Sequence, residues 1–173
     1  MAEVFRFSKK GDQGETSLLT GQRVSKGSLR PETYGTLDEA SSALGLAKAF
    51  CPDEKVREMI RTIQEDLVTV GAELACEAPQ RSRWRVETAQ IERLERWIEE
   101  LQEEVAVPRH FILPGANPVS ASLDLARTIV RRAERWAARA REAGLEVRAE
   151  VQAYLNRLAD FLFTLARFTE KDR

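Results

Sequence analysis

Apolar residues return at alternating spacings of three and four along most of this chain. Leu37, Ala40, Leu44 and Ala47 form a first such series. Val56, Ile60, Ile63, Leu67, Val70 and Leu74 form a second, and Ile91, Leu94, Ile98, Leu101 and Val105 a third. Val119, Leu123, Ala126, Val130, Ala133 and Ala137 follow, then Val151, Leu155, Leu158, Leu162 and Leu165. In the last series Tyr154, Phe161 and Phe168 widen the apolar face. This period keeps one stripe of a helix facing a common core. Five helices are predicted, the first opening at Pro31-Glu32, where proline suits the first turn. Cys51-Pro52-Asp53, Ala78-Pro79 and Gly144 break the pattern, and Asn117-Pro118 reads as an N-cap followed by proline. The expected fold is all-α, a five-helix up-and-down bundle over residues 31–169 within one domain, 1–173. No strand is expected, and Trp97 and Trp136 read either as packing residues or as interface residues.

Two segments escape the pattern. Residues 1–30 hold Gly11, Gly14, Gly21 and Gly27 among serines, threonines and lysines, which is loop chemistry. Residues 108–118 are a second irregular stretch, carrying His110, Phe111 and Pro114-Gly115.

Charge narrows the possibilities. Lys plus Arg number 27 and Asp plus Glu 28, so a general nucleic-acid binder, which needs a basic excess, is not expected. No apolar run approaches the roughly 18 residues of a membrane span. The opening MAEVFRFSKKGDQG lacks the apolar centre of a signal peptide, so a cytoplasmic protein is expected. Cys51 and Cys76 have no metal-ligand spacing. The single histidine excludes paired Glu-x-x-His metal sites and a Ser–His–Asp triad, and no protein-held metal is expected.

Candidate chemistry lies in four places. Arg127, Arg131 and Arg135 rise four apart along one helix stripe. Such a stripe is either solvated or faces an anion, and guanidinium forks suit a polyphosphate. Ser8-Lys9-Lys10-Gly11-Asp12-Gln13-Gly14-Glu15-Thr16-Ser17, with Lys26 beyond, is either a flexible tail or a loop whose amides approach a phosphate. It is not a Walker A loop, since the Gly-Lys-Ser/Thr ending is missing. Tyr34-Gly35-Thr36-Leu37-Asp38-Glu39 places Asp38 where it either complements the helix dipole or neutralises a stripe arginine across the bundle. Asn156, four before Asp160, suits either a nucleotide's base or ribose or a helix–helix hydrogen bond. Phe111 is either a core plug or an aromatic able to pack on a flat macrocycle.

The segments SKKGDQGETS, GQRVSK, YGTLDE, FILPG, ARTIVRRAER and YLNRLADFLF occur together and in this order. In this the chain resembles the ATP:cob(I)alamin adenosyltransferases of the PduO type, from about Ser8 to Arg167. The resemblance implies transfer of the 5′-deoxyadenosyl group of ATP to the cobalt of cob(I)alamin, with triphosphate released. Its substrates and cofactors are ATP, Mg²⁺ and cobalamin. It implies a homotrimer with active sites between subunits, a reductase that supplies the electron, and an adenosylcobalamin-dependent enzyme that takes the product. A corrinoid carrier that hands on adenosylcobalamin is the alternative. By position, Ser8, Lys9, Gly11, Asp12, Gly14, Thr16, Ser17 and Lys26 form the ATP loop, and Arg131, Glu134, Arg135 and Asn156 contact ATP or support that contact. Asp38 and Arg127 match an ion pair beside the corrinoid. Phe111 matches the aromatic that displaces the lower axial ligand. The chain departs from the family pattern at Ala116, where a second glycine is common, and at Asp124, where histidine is common.

Overall fold

A computed structural model describes residues 9–79, 82–108 and 110–171. Five helices carry the predicted stripes. Helix α1 spans Leu29–Phe50, α2 Glu54–Leu74, α3 Thr88–Glu104, α4 Pro118–Glu142 and α5 Ala149–Phe168. The first begins two residues before Pro31 because Ser28, in extended geometry, takes the N-cap position. Pro31 then sits third in the helix, where its missing N–H still costs nothing. The helix ends where Pro52 forces Cys51 into extended geometry. Asp53 accepts from the Val56 N–H at 3.2 Å to open α2. Asn117 accepts from the Ser120 N–H at 2.8 Å to open α4, with Pro118 at the first helical position. Gly144, at φ +82°, follows the end of α4 in a conformation that side-chain-bearing residues avoid.

The extended interfaces run α2 on α1, α1 on α4, α4 on α5 and α5 on α3. Every predicted stripe residue of α1, α2, α4 and α5 is buried. Helix α3 is the exception. Leu94 and Leu101 are sealed, whereas Ile91, Ile98 and Val105 are only partly covered.

The prediction of no strand is corrected. A 3-10 turn at Lys9–Gly11 leads into a short antiparallel hairpin, β1 Glu15–Ser17 and β2 Arg23–Ser25, with Thr16 opposite Val24. Strands of three residues are too short for alternation to show in the sequence. The hairpin tip is docked. Leu18 is buried, the Leu19 N–H donates to the Ala75 carbonyl at 3.3 Å, and the Thr20 hydroxyl donates to Glu77 at 2.9 Å.

Buried charge completes the bundle. Asp66 of α2 accepts from the Tyr154 hydroxyl of α5 at 2.8 Å and from Arg93 of α3. Glu73, also of α2, accepts from the Val86 N–H at 2.8 Å and from Arg148 at 3.2 Å. Burial pushes the Glu73 carboxyl above its ordinary pKa, against the lowering by Val86 and Arg148. These bonds tie α2 to the far side of the bundle.

Burial, then the charge and hydrogen bond of Asp66, push the Tyr154 hydroxyl well above its ordinary pKa. An unfolded tyrosine ionises near pH ~10 while the folded one stays neutral, so stability falls as pH rises beyond that point. In an ultraviolet titration, Tyr154 is expected to ionise only as the helices melt. Tyr154→Phe should abolish that step and cost about 1 kcal/mol at neutral pH. Reversible ionisation of both tyrosines with helicity intact would contradict this.

Candidate active site

The residues singled out in the sequence fall into three groups. The first is the loop that precedes α1. Turns set its shape: the Asp12 N–H donates to Lys9 at 3.1 Å, and the Gly14 N–H to Gly11 at 3.2 Å. The Lys26 N–H closes the loop on the Gly14 carbonyl at 2.8 Å. Gly14 adopts φ +81°, which a side chain would strain. A side chain at Gly11 would begin 3.1 Å from the Lys26 ammonium, so glycine lets that lysine lie against the backbone. Lys9, Asp12 and Lys26 are exposed, and Thr16 is half-buried. Ser17 accepts from Arg23 at 3.2 Å. Arg23 also donates to the Lys10 carbonyl at 2.8 Å, bracing the turn from outside. Sequence reasoning gave Arg23 no role; its place opposite Ser17 in the GQRVSK segment becomes informative only once the strands are known. Ser8 lies outside the described residues.

The second group lies on α4 and α5. Arg131 and Arg135 are exposed, and Arg135 donates to the Arg131 carbonyl at 3.0 Å. The Arg131 guanidinium has no hydrogen-bond or ion-pair partner among the described residues. Glu134 is half-buried, and its carboxylate is likewise unengaged there. Its carbonyl accepts from Gln152 of α5 at 3.5 Å, and Asn156 stands exposed one turn beyond. A cation, an acid and an amide are thus offered to solvent along one α4–α5 surface.

The third group is a groove of about 500 Å³ between the 108–118 segment and the α4–α5 pair. Phe111, His110, Ile112 and Pro114 form one wall, with Arg127, Asp124 and Phe163 opposite. Phe111 is fully exposed (105%), so it is no core plug. Arg127 is mostly covered; its Nε donates to Asp124 at 3.0 Å, and its guanidinium carbon lies 5.7 Å from the Phe163 ring.

Asp38 joins none of these groups. It is exposed and lines a separate groove of about 290 Å³ with Leu19, Tyr34, Val68 and Gly71. Asp38 pairs with no arginine among the described residues, whereas Glu39 of α1 pairs with Arg132 of α4. One helical position, about 100° of rotation, separates the two acids and decides which of them meets α4. Gly35 has nothing within 4 Å of where a side chain would start, so no close approach inside the chain explains it. The loop, docked at the α2 end, makes no described contact with Arg131, Glu134 or Asn156. Among the described residues no three His, Cys, Asp or Glu side chains gather into a metal site.

Residues 6–169 match the family model described as cobalamin adenosyltransferase. The corrinoid adenosyltransferase of Mycobacterium tuberculosis is 40% identical over 171 residues, covering 96% of this chain and 89% of the relative. The corrinoid adenosyltransferase PduO of Salmonella typhimurium is 41% identical over 170 residues, 96% of this chain and 50% of the relative. A variant PduO-type ATP:corrinoid adenosyltransferase from Lactobacillus reuteri, solved with cobalamin and ATP, superposes with a TM-score of 0.88 at 29% identity. That likeness covers 95% of this chain and 92% of the other.

Full exposure of Phe111 makes a prediction about folding alone. Phe111→Ala removes no buried contact and should shift unfolding free energy by no more than ~0.5 kcal/mol. Thermal melts of the two proteins should overlay; a clear destabilisation would mean that this ring packs in the free chain after all.

Proposed function

The chain belongs to the cobalamin adenosyltransferase family and transfers the adenosyl group of ATP to a corrinoid; we propose that it does so in sites completed by a neighbouring copy. The observation that carries this reading is the separation of the half-sites. The phosphate loop and Asp38 lie with α1 and α2, while Arg131, Asn156 and Phe111 lie on or beside α4 and α5. Each half presents groups with no partner among the described residues. Two copies meeting α1–α2 against α4–α5 would unite them, and a closed ring of three satisfies every copy equally. On this reading Asp38 of one subunit meets the free edge of the Arg127 guanidinium on the next, beside the corrinoid.

The chemistry asks little of the protein as acid or base. The electron pair of Co(I) forms the cobalt–carbon bond at C5′ as the C5′–oxygen bond breaks, and triphosphate leaves with that bond's electrons. Cobalt is the nucleophile, so positioning and charge are what the side chains supply. Lys9 and Lys26 line the triphosphate path, with Thr16 and Ser17 adding hydroxyls. Arg131 and Arg135 stabilise the leaving charge, and Glu134 and Asn156 contact ATP or support that contact. Bound with ATP, Mg²⁺ would neutralise charge on the departing triphosphate; among the described residues no acidic cluster gathers to hold it.

Phe111 has a second task. An exposed ring on a loop beside a groove is free to slide under the corrin, where it excludes water and the lower base. Cobalt stripped of axial ligands is easier to reduce from Co(II).

The test is anaerobic turnover followed by absorbance, with purified protein, ATP, Mg²⁺ and cobalamin supplied either as Co(I) or as Co(II) with a reductant. Arg131→Ala is expected to lose at least ~100-fold in turnover from either form. Phe111→Ala should keep ATP binding and lose far more turnover from Co(II) than from Co(I). Equal losses from both forms would remove the ring from the reduction step. Corrinoid binding without turnover in the unaltered protein would favour a carrier.

A further inference from the structure

We infer that Asp124, anchored by Arg167, is a positioning residue that sets the Arg127 guanidinium at the corrinoid groove. This rests on the reading of that groove given above. Asp124 is 2% exposed and spends both carboxylate oxygens on arginine. Oδ1 accepts from Arg127 Nε at 3.0 Å, and Oδ2 accepts from Arg167 Nη2 at 2.6 Å. Arg167, 4% exposed on α5, reaches Asp124 and Glu170 through that one nitrogen. Its Nε and Nη1 are buried without a partner among the described residues. A buried guanidinium so poorly satisfied stays in place because its carboxylate contacts hold it. Phe163 completes the clamp, its ring 5.7 Å from the Arg127 carbon and 5.2 Å from that of Arg167.

The direction of the Arg127 bond is what matters. Asp124 takes the Nε edge, three residues back on the same helix. Both Nη groups are left without a partner among the described residues. They form the fork that reads a carboxylate or phosphate in two bonds. An arginine held by Nε and flanked by a ring has lost most of its rotamer choices before any ligand arrives. A histidine at position 124 would offer at most one acceptor and could not bridge two guanidiniums. The aspartate therefore gives Arg127 a fixed seat inside its own subunit.

A double-mutant cycle on turnover with ATP and cob(I)alamin tests this, using Asp124→Asn, Arg127→Ala and the pair. Asp124→Asn keeps the side-chain shape, and its melt is recorded alongside. Alone it should lower kcat/KM for the corrinoid by about tenfold while the KM for ATP stays within about twofold. In the Arg127→Ala background the same change should have almost no effect, because the group it positions is gone. Arg167→Lys, which keeps a cation against Asp124, should give a smaller loss with the same dependence on Arg127. A nitrogen-15 spectrum supplies a readout independent of turnover: the Arg127 Nε–H is expected to exchange slowly while bonded to Asp124 and to lose that protection in Asp124→Asn. Equal fractional losses with and without Arg127, or an unchanged Nε–H, would overturn the positioning role and leave the groove's assignment standing. Full turnover in Arg127→Ala would overturn both.

Discussion

A buried carboxylate must find cationic or hydrogen-bond partners or give up its charge, and this bundle depends on how that demand is met. Among the described residues, three such acids are nearly sealed from solvent: Asp66, Glu73 and Asp124. Each takes partners from a different part of the chain. Asp66 gathers α3 and α5 onto α2, Glu73 pins Arg148 and the approach to α3, and Asp124 joins α4 to α5. Apolar stripes say which face of each helix turns inward. They do not say which helices meet or at what register, since a stripe slid by one turn buries a similar area. The polar bonds remove that freedom, because a shift of one turn would leave a charge buried and unpaired.

The stripes were legible because burial in helices has a strict period, and α1, α2, α4 and α5 obey it residue by residue. Helix α3 was half legible. Its Ile91 and Ile98 have the right spacing but lie at the edge of the core, where spacing alone cannot report depth. The hairpin was invisible because three-residue strands carry no period and are held by turns and by docking at Ala75 and Glu77. The start of α1 was misplaced by two residues because proline at N1 and proline at N3 satisfy the same rule.

The site was legible in its parts and not in its assembly. Glycine spacing, the arginine stripe and the Asn156 face each named a surface. Nothing in them said that Glu39 and not Asp38 would meet α4, since the two acids are adjacent and equally polar. Arg23, Asp124 and Arg167 went unassigned because their work is to hold other residues, and a bracing contact leaves no pattern in a single sequence. Asp124 did leave one trace, as a departure from the family's habit at that position.

The docked hairpin changes how the cost of ordering is distributed. Fixing one residue's backbone costs on the order of 1–2 kcal/mol of conformational entropy. Here the tip is fastened to the end of α2 through Leu19 and Thr20, and the turn at Lys9–Gly14 is closed by its own amides. That expense falls on folding and is shared with the bundle. The backbone of the turn is thereby held by the bundle itself, and the exposed side chains of Lys9 and Lys26 are what remain to be ordered.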